Sequence, residues 1–220
     1  MKNLFSKLEW ILLLIALIPS FLLYWFWEKI PQTIPTHYNF QGNADAWGDK
    51  SMLLWMIPGL SLFLYLLLLV ISLIDPKKQF ETMGNTYLTI RLIVQSSISS
   101  LCIIIVLAAL NTQLNFTAVI MPVTAFFFFL LGYFLPSIKS NYFVGIRTPW
   151  TLNDEQNWAQ THRLGGWVFM IGGVVMLLAY LVLSELTFAI VLMVCIGAMV
   201  LIPIGYSFYL FVKKQKSDKQ

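Results

Sequence analysis

The chain has 220 residues, 59% of them hydrophobic and 11% charged, with a net charge of +4. A soluble domain carries roughly 25% charged residues, so this composition excludes an ordinary water-soluble protein. The charges cluster and leave long uncharged runs. About 20 apolar helical residues cross a hydrocarbon core of about 30 Å, and several runs reach that length. The short alternating segments of a membrane β-barrel are absent. The composition therefore predicts an all-α polytopic membrane protein, with no soluble domain large enough for a core of its own.

In chain order, residues 1–7 are a short basic start, and Leu8 to Trp27 is a first span that Pro19 can kink. The run is too long for a signal peptide and lacks a small-x-small cleavage site. Tyr24, Trp25 and Trp27 form an aromatic belt at its far end. Residues 28–51 are a polar loop. Pro31 and Pro35 stop the helix, Ile34 to Phe40 alternate in the manner of a short extended piece, and Gln41-Gly42-Asn43 reads as a turn. A second span is predicted from Met52 to Ile74, and a charged connector over 75–87. The third, Leu88 to Leu110, carries Arg91, Gln95, Ser99 and Cys102 at helical spacing, a polar stripe that should face other helices rather than lipid. A polar turn over 111–116 leads to a fourth span from Thr117 to Leu135. The fifth runs from Trp167 to Leu183, the sixth from Phe188 to Val212, and the basic tail is expected to be disordered. Gly165, Gly166, Gly172 and Gly173 on the fifth, with Gly197 and Gly205 on the sixth, predict a close pairing of these two helices. Cys102 and Cys195 lie in apolar runs and read as packing residues.

An even span number puts both termini on one side. Twelve of the 14 lysines and arginines fall there or at its boundary, and only Lys29 and Lys50 on the other. The positive-inside rule then predicts both termini in the cytoplasm, the loop at about 136–166 inside and the loop at 28–51 outside.

The inner loop is the richest stretch, gathering Arg147, Asp154, Glu155, His162 and Arg163 with Trp150 and Trp158. Thr148-Pro149 is an extended or turn unit. Thr151 to Asp154 fits a helix N-cap with an acid in the first turn, opening a short helix to about Arg163. Trp158, Thr161 and His162 share one face of that helix, and Trp150 and Trp158 read as anchors that lay it along the membrane surface. Arg147 has two readings, a headgroup or structural contact and a partner-recognition residue; His162 divides in the same way between structural and functional. Catalytic equipment is missing. His37 and His162 are the only histidines and fall on opposite sides in this topology. No H-E-x-x-H, C-x-x-C, G-x-S-x-G or phosphate-binding glycine loop is present. Neither an enzyme nor a cofactor or metal is expected, and no direct contact with nucleic acid.

Two motifs resemble a known family. The run N-x-x-x-G-I-R-T-P-W-T-L followed by W-x-x-T-H-R-x-G-G places Asn141, Gly145, Arg147, Thr148, Pro149, Trp150, Thr151, Trp158, Thr161, His162, Arg163, Gly165 and Gly166 in the pattern of the SdpI family of bacterial immunity membrane proteins. The outer segment with Pro35, His37, Asn39, Gly42, Asp45 and Trp47 is similar, with a slight change of spacing, to the DUF1648 segment that precedes the SdpI region. The resemblance implies a multi-pass protein of the bacterial cell membrane, with a DUF1648-like part over 1–75 and an SdpI-like part over 76–220. It also implies protection against a secreted, membrane-attacking peptide toxin, and a cytoplasmic repressor protein as a second partner beside membrane lipids and the toxin. A small transporter or exporter of amphipathic molecules is the competing reading. It is motivated by the third-span stripe and by Pro19, Pro58, Pro122 and Pro203 within spans.

Overall fold

The structure is a computed structural model, which describes residues 7–39, 43–76, 79–111 and 116–217. Among the described residues eight α-helices and one hairpin follow in order: α1 Lys7–Phe26, β1 Thr33–Tyr38, β2 Ala44–Asp49, α2 Met52–Ile74, α3 Gln79–Met83, α4 Asn85–Leu110, α5 Phe116–Phe134, α6 Pro149–Asn153, α7 Glu155–Val182 and α8 Glu185–Ser217. Six of them, α1, α2, α4, α5, α7 and α8, are long and apolar enough to cross a membrane. The chain forms two compact units, one of residues 1–70 with 91–124, the other of 71–90 with 125–220.

In the first unit, Leu23, Ile30, Ile34, Leu53, Ile57, Cys102, Val106 and Ala109 form a buried cluster under the hairpin. The extended piece expected near Ile34 is strand β1; its antiparallel partner β2 lacks the apolar alternation that would have marked it. Ile34 is the one side chain of β1 that is buried, so it fixes which face of the ribbon turns inward. Lys50 donates to the carbonyls of Trp27 (3.0 Å) and Ile30 (3.1 Å), closing the frayed end of the first span with a cation. Tyr38 stacks on Phe116, ring centroids 4.7 Å apart. The expected turn at 41–43 falls largely outside the described residues, as do 77–78 in the connector and 112–115 in the turn before α5.

Lower in this unit the stripe on α4 faces helices, as its spacing predicts. Pro19 has no amide proton, which strips the Ile15 carbonyl of its intrahelical donor. Ser99 supplies a replacement at 2.9 Å, and Ser61 of α2 donates to the neighbouring Ala16 carbonyl at 2.8 Å. Gln95 Nε2 donates to the Ser61 carbonyl at 3.2 Å. With no water in hydrocarbon to do so, side chains satisfy the backbone that the proline disturbs.

The second unit corrects several expectations. The short surface helix and the fifth span are one continuous helix, α7, from Glu155 to Val182. The basic tail stays helical to Ser217. The predicted packing of α7 on α8 is present, with Gly165 against Pro203, but the glycines of α7 divide between two neighbours. Gly166 and Gly173 face α5 instead: a Cβ on Gly166 would stand 2.7 Å from the Gly132 carbonyl, and one on Gly173 2.6 Å from that of Ala125. A Cβ on Gly172 would meet Met199 of α8, whereas one on Gly197 or Gly205 would meet no neighbouring element within 4 Å. Periodicity identified a small-residue face but not its partner, because any neighbouring helix can use such a face.

Candidate functional site

The loop from Ile138 to Asp154 folds onto the first turns of α7 and the end of α8, and the motif residues are what fold it. Asn141 is fully buried. Its Oδ1 accepts from the amides of Phe143 (2.8 Å) and Val144 (2.7 Å), and its Nδ2 donates to the carbonyls of Lys139 (2.8 Å) and Val144 (2.9 Å). Both donors and both lone pairs of the amide are used, which pins the turn. The turn delivers Gly145 with φ +121°, where a Cβ would stand 2.5 Å from His162 Nε2 and 3.0 Å from Trp158. Only glycine tolerates both the dihedral and the approach.

His162 is buried within α7. Its Nε2 accepts from the Ile146 amide at 3.0 Å, and its Nδ1 donates to the Trp158 carbonyl at 2.9 Å. Accepting on one nitrogen and donating from the other assigns a neutral imidazole with its proton on Nδ1. The ring stacks on Trp158, centroids 4.0 Å apart, and Trp158 Nε1 donates to the Ile138 carbonyl at 2.7 Å. Trp158 is therefore an internal post, not an interfacial anchor. Trp150 is half-buried against Phe208 and Phe211 of α8.

The caps also differ from expectation. Thr148, not Thr151, caps a helix: Thr148 Oγ1 accepts from the Thr151 amide at 3.2 Å and Thr151 Oγ1 accepts from the Thr148 amide at 2.9 Å, with Pro149 at the first helical position. Asp154 caps α7 itself, accepting from the amides of Gln156 (2.8 Å) and Asn157 (3.1 Å) and from Lys214 Nζ (2.9 Å). Lys214 first, and the Asn157 amide next, hold its carboxyl below the usual range. A buried polar chain ties this corner to α8. Thr148 Oγ1 lies 3.2 Å from Ser207 Oγ, Asn157 Nδ2 donates to the Ser207 carbonyl at 2.9 Å, and Thr161 Oγ1 donates to Asn157 Oδ1 at 3.0 Å. Sequence reading missed Asn157 and Ser207, although a lone serine in an apolar span is a signal in itself.

The motif thus divides. Asn141, Thr148, Thr151, Trp158, Thr161, His162, Gly165 and Gly166 are buried, Gly145 and Trp150 are half-buried, and Arg147, Pro149 and Arg163 are exposed. Arg147 donates from Nη1 to the Tyr142 carbonyl, which steadies the guanidinium at the surface.

In the hairpin, His37 Nδ1 donates to Asp45 Oδ1 at 2.6 Å, with both side chains exposed. Asn39 Oδ1 accepts from the Asn43 amide at 3.0 Å, Pro35 stands opposite Trp47, and Trp47 is exposed. Gly42 lies outside the described residues.

One buried ion pair went unread in the sequence. Arg91 of α4 grips Glu9 of α1 through both Nη atoms, Nη2 to Oε2 at 3.1 Å, and both side chains are buried. The Tyr65 ring centroid lies 6.0 Å from the Arg91 guanidinium carbon. These partners are 82 residues apart, so no local spacing links them.

Comparison with known proteins follows the same division. Residues 137–207 match the SdpI/YfhL protein family, and residues 14–62 match a domain of unknown function, DUF1648. The first range runs from the motif loop through α7 to Ser207; the second covers most of α1, the hairpin and the start of α2. Over 213 residues the chain is 24% identical to the immunity protein SdpI of Bacillus subtilis (strain 168), covering 94% of this chain and 96% of that protein. No solved structure matches significantly. The chain is a multi-pass protein of the bacterial cell membrane, similar over residues 137–207 to the SdpI/YfhL family and over residues 14–62 to DUF1648.

Proposed function

We propose that this protein confers resistance to a secreted, membrane-active peptide toxin, and that it does so by binding rather than by catalysis. The observation that carries the reading is the near full-length similarity to an immunity protein, with the SdpI-type motif present as an ordered, internally bonded corner. In the proposed topology the termini and the 136–166 loop face the cytoplasm, and the hairpin faces out. The hairpin, with exposed Trp47 beside the His37–Asp45 pair, meets the toxin; the corner presents Arg147, Pro149 and Arg163 to a cytoplasmic partner, in the fullest form of the proposal a transcriptional repressor held at the membrane. Communication between the two requires helix arrangements that each ligand favours differently.

Expression in a strain sensitive to such toxins tests the proposal, with survival as the readout; no gain against any related membrane-active peptide counts against it. The transporter reading drew on the polar stripe of α4, whose Gln95 and Ser99 are occupied by bonds to α1 and α2. Substrate flux into proteoliposomes, without protection of cells, would favour it instead.

A further inference from the structure

The crossing of α5 and α7 has one covered side and one open side. Gly132 stands against Gly166, and Ala125 against Gly173, so the helices run antiparallel with their backbones close. On one side, Gly165 meets Leu135 and Pro203, Gly172 meets Met199, and Phe128 sets its ring edge-on to Phe169 at 6.0 Å. The α8 side chains fill that side. At about 100° per residue, one step on from Gly132 and one step on from Gly166 lead to the same, opposite side, because the helices are antiparallel. There stand Tyr133 and Trp167, 63% and 58% exposed. Phe126 and Phe129 of α5 and Val174 of α7 continue along this side, all exposed, and Arg163 stands one turn before Trp167 at its other end.

Depth gives this side a meaning. From Arg163 to Leu183, where α7 has ended, the helical rise sums to about 30 Å, the thickness of a hydrocarbon core. Arg163 therefore lies at headgroup level, with Trp167 and Tyr133 as belt residues just beneath it. Phe126, Phe129 and Val174 lie at acyl-chain depth. Two facing glycines make the seam a shallow trough rather than a ridge. The charge at its mouth is positive: the nearest acid on α7 is Glu155, about two turns farther out, while Lys139 and Arg147 of the adjoining loop are exposed.

We propose that the open side of the α5–α7 seam binds one anionic phospholipid. Its phosphate sits on Arg163, its glycerol region between Tyr133 and Trp167, and an acyl chain along Phe129, Phe126 and Val174. This site needs only that α5 and α7 span the bilayer; it assigns Arg163 to lipid and leaves Arg147 and Pro149 to the cytoplasmic partner.

The full-length protein, reconstituted in phosphatidylcholine bilayers with spin-labelled phosphatidylglycerol or phosphatidylcholine, tests it through the fraction of motionally restricted lipid. The wild type is expected to favour the anionic lipid about fivefold, the contribution of one cation near an anionic surface. Arg163→Gln should lower that preference clearly, with Lys139 and Arg147 retaining a remainder, and Arg163→Lys should keep most of it. Val174→Trp fills the trough without touching the charge and should lower restriction of both lipids; it carries the test if Arg163→Gln fails to accumulate. A wild-type ratio of one, or full selectivity in Arg163→Gln, overturns the proposal. So does unchanged restriction in Val174→Trp, or an efficient disulfide between two copies through a cysteine at Val174.

Discussion

At Gly145 the chain accepts a left-handed backbone so that the Ile146 amide can reach His162. Gly145→Ala imposes both the dihedral cost and a Cβ 2.5 Å from the imidazole. Strained positions of this kind cost about 1–3 kcal/mol, and the clash adds to that, so a clear drop in thermal unfolding temperature in detergent is expected. Arg147 is the opposite case. It is exposed, and its one described bond is to the Tyr142 carbonyl. Arg147→Ala should change stability by no more than about 0.5 kcal/mol. The variant should insert and accumulate at wild-type levels; a loss of protection at that constant level would mark Arg147 as a recognition residue. Neither role was legible in the sequence, where Arg147 and His162 each supported two readings. What separates them is the partner list: His162 has both ring nitrogens engaged inside the protein, while the Arg147 guanidinium stays at the surface.

At the scale of elements, α7 is the instructive case. Gly165-Gly166 and the polar run before it read as a break between a surface helix and a span. The break is absent because Leu135, Ile138 and Ile146 give the helix a buried face there, and packing outweighs the cost of about 1 kcal/mol that each glycine carries in a helix. Asp154 starts this helix, and its carboxyl is held below the ordinary range by Lys214 and the Asn157 amide. A carboxyl lowered by folding contributes stability that is fully present above its ordinary value, about 3.9, and lost as pH falls through the folded value. Asp154→Asn should therefore make the acid limb of a stability–pH profile shallower. It will not abolish that limb, since Asp49 is lowered in the same direction by Ser51 and Gln32. Between α1 and α4, the Glu9–Arg91 pair sets a different rule. Glu9→Ala strands a buried guanidinium and should cost about 3–5 kcal/mol, whereas the double variant Glu9→Leu with Arg91→Met should come close to neutral. Chemical denaturation in detergent reads both.

For the whole molecule the decisive measurement is sidedness. Cysteines placed singly at Thr36 and at Asn153, both exposed, should react with a membrane-impermeant maleimide in intact cells at the first site only; labelling of both, or of neither, removes the proposed division of labour between hairpin and corner. The amino-acid sequence by itself determined the class, the six spans and the polar stripe on α4. Each of those follows from local composition: bilayer thickness sets a segment length, and helical periodicity sets a face. The loop that carries the motif stood out for the same reason, as a polar cluster in a lipid-like chain, while its individual residues were picked out by the family resemblance. Only the tertiary structure decided which of them are internal, that α5 rather than α8 receives Gly166 and Gly173, and that Glu9 answers Arg91. Those are choices of partner across tens of residues, made by which surfaces pack best and which buried charges must be neutralised, and nothing in the spacing of one segment encodes the identity of another.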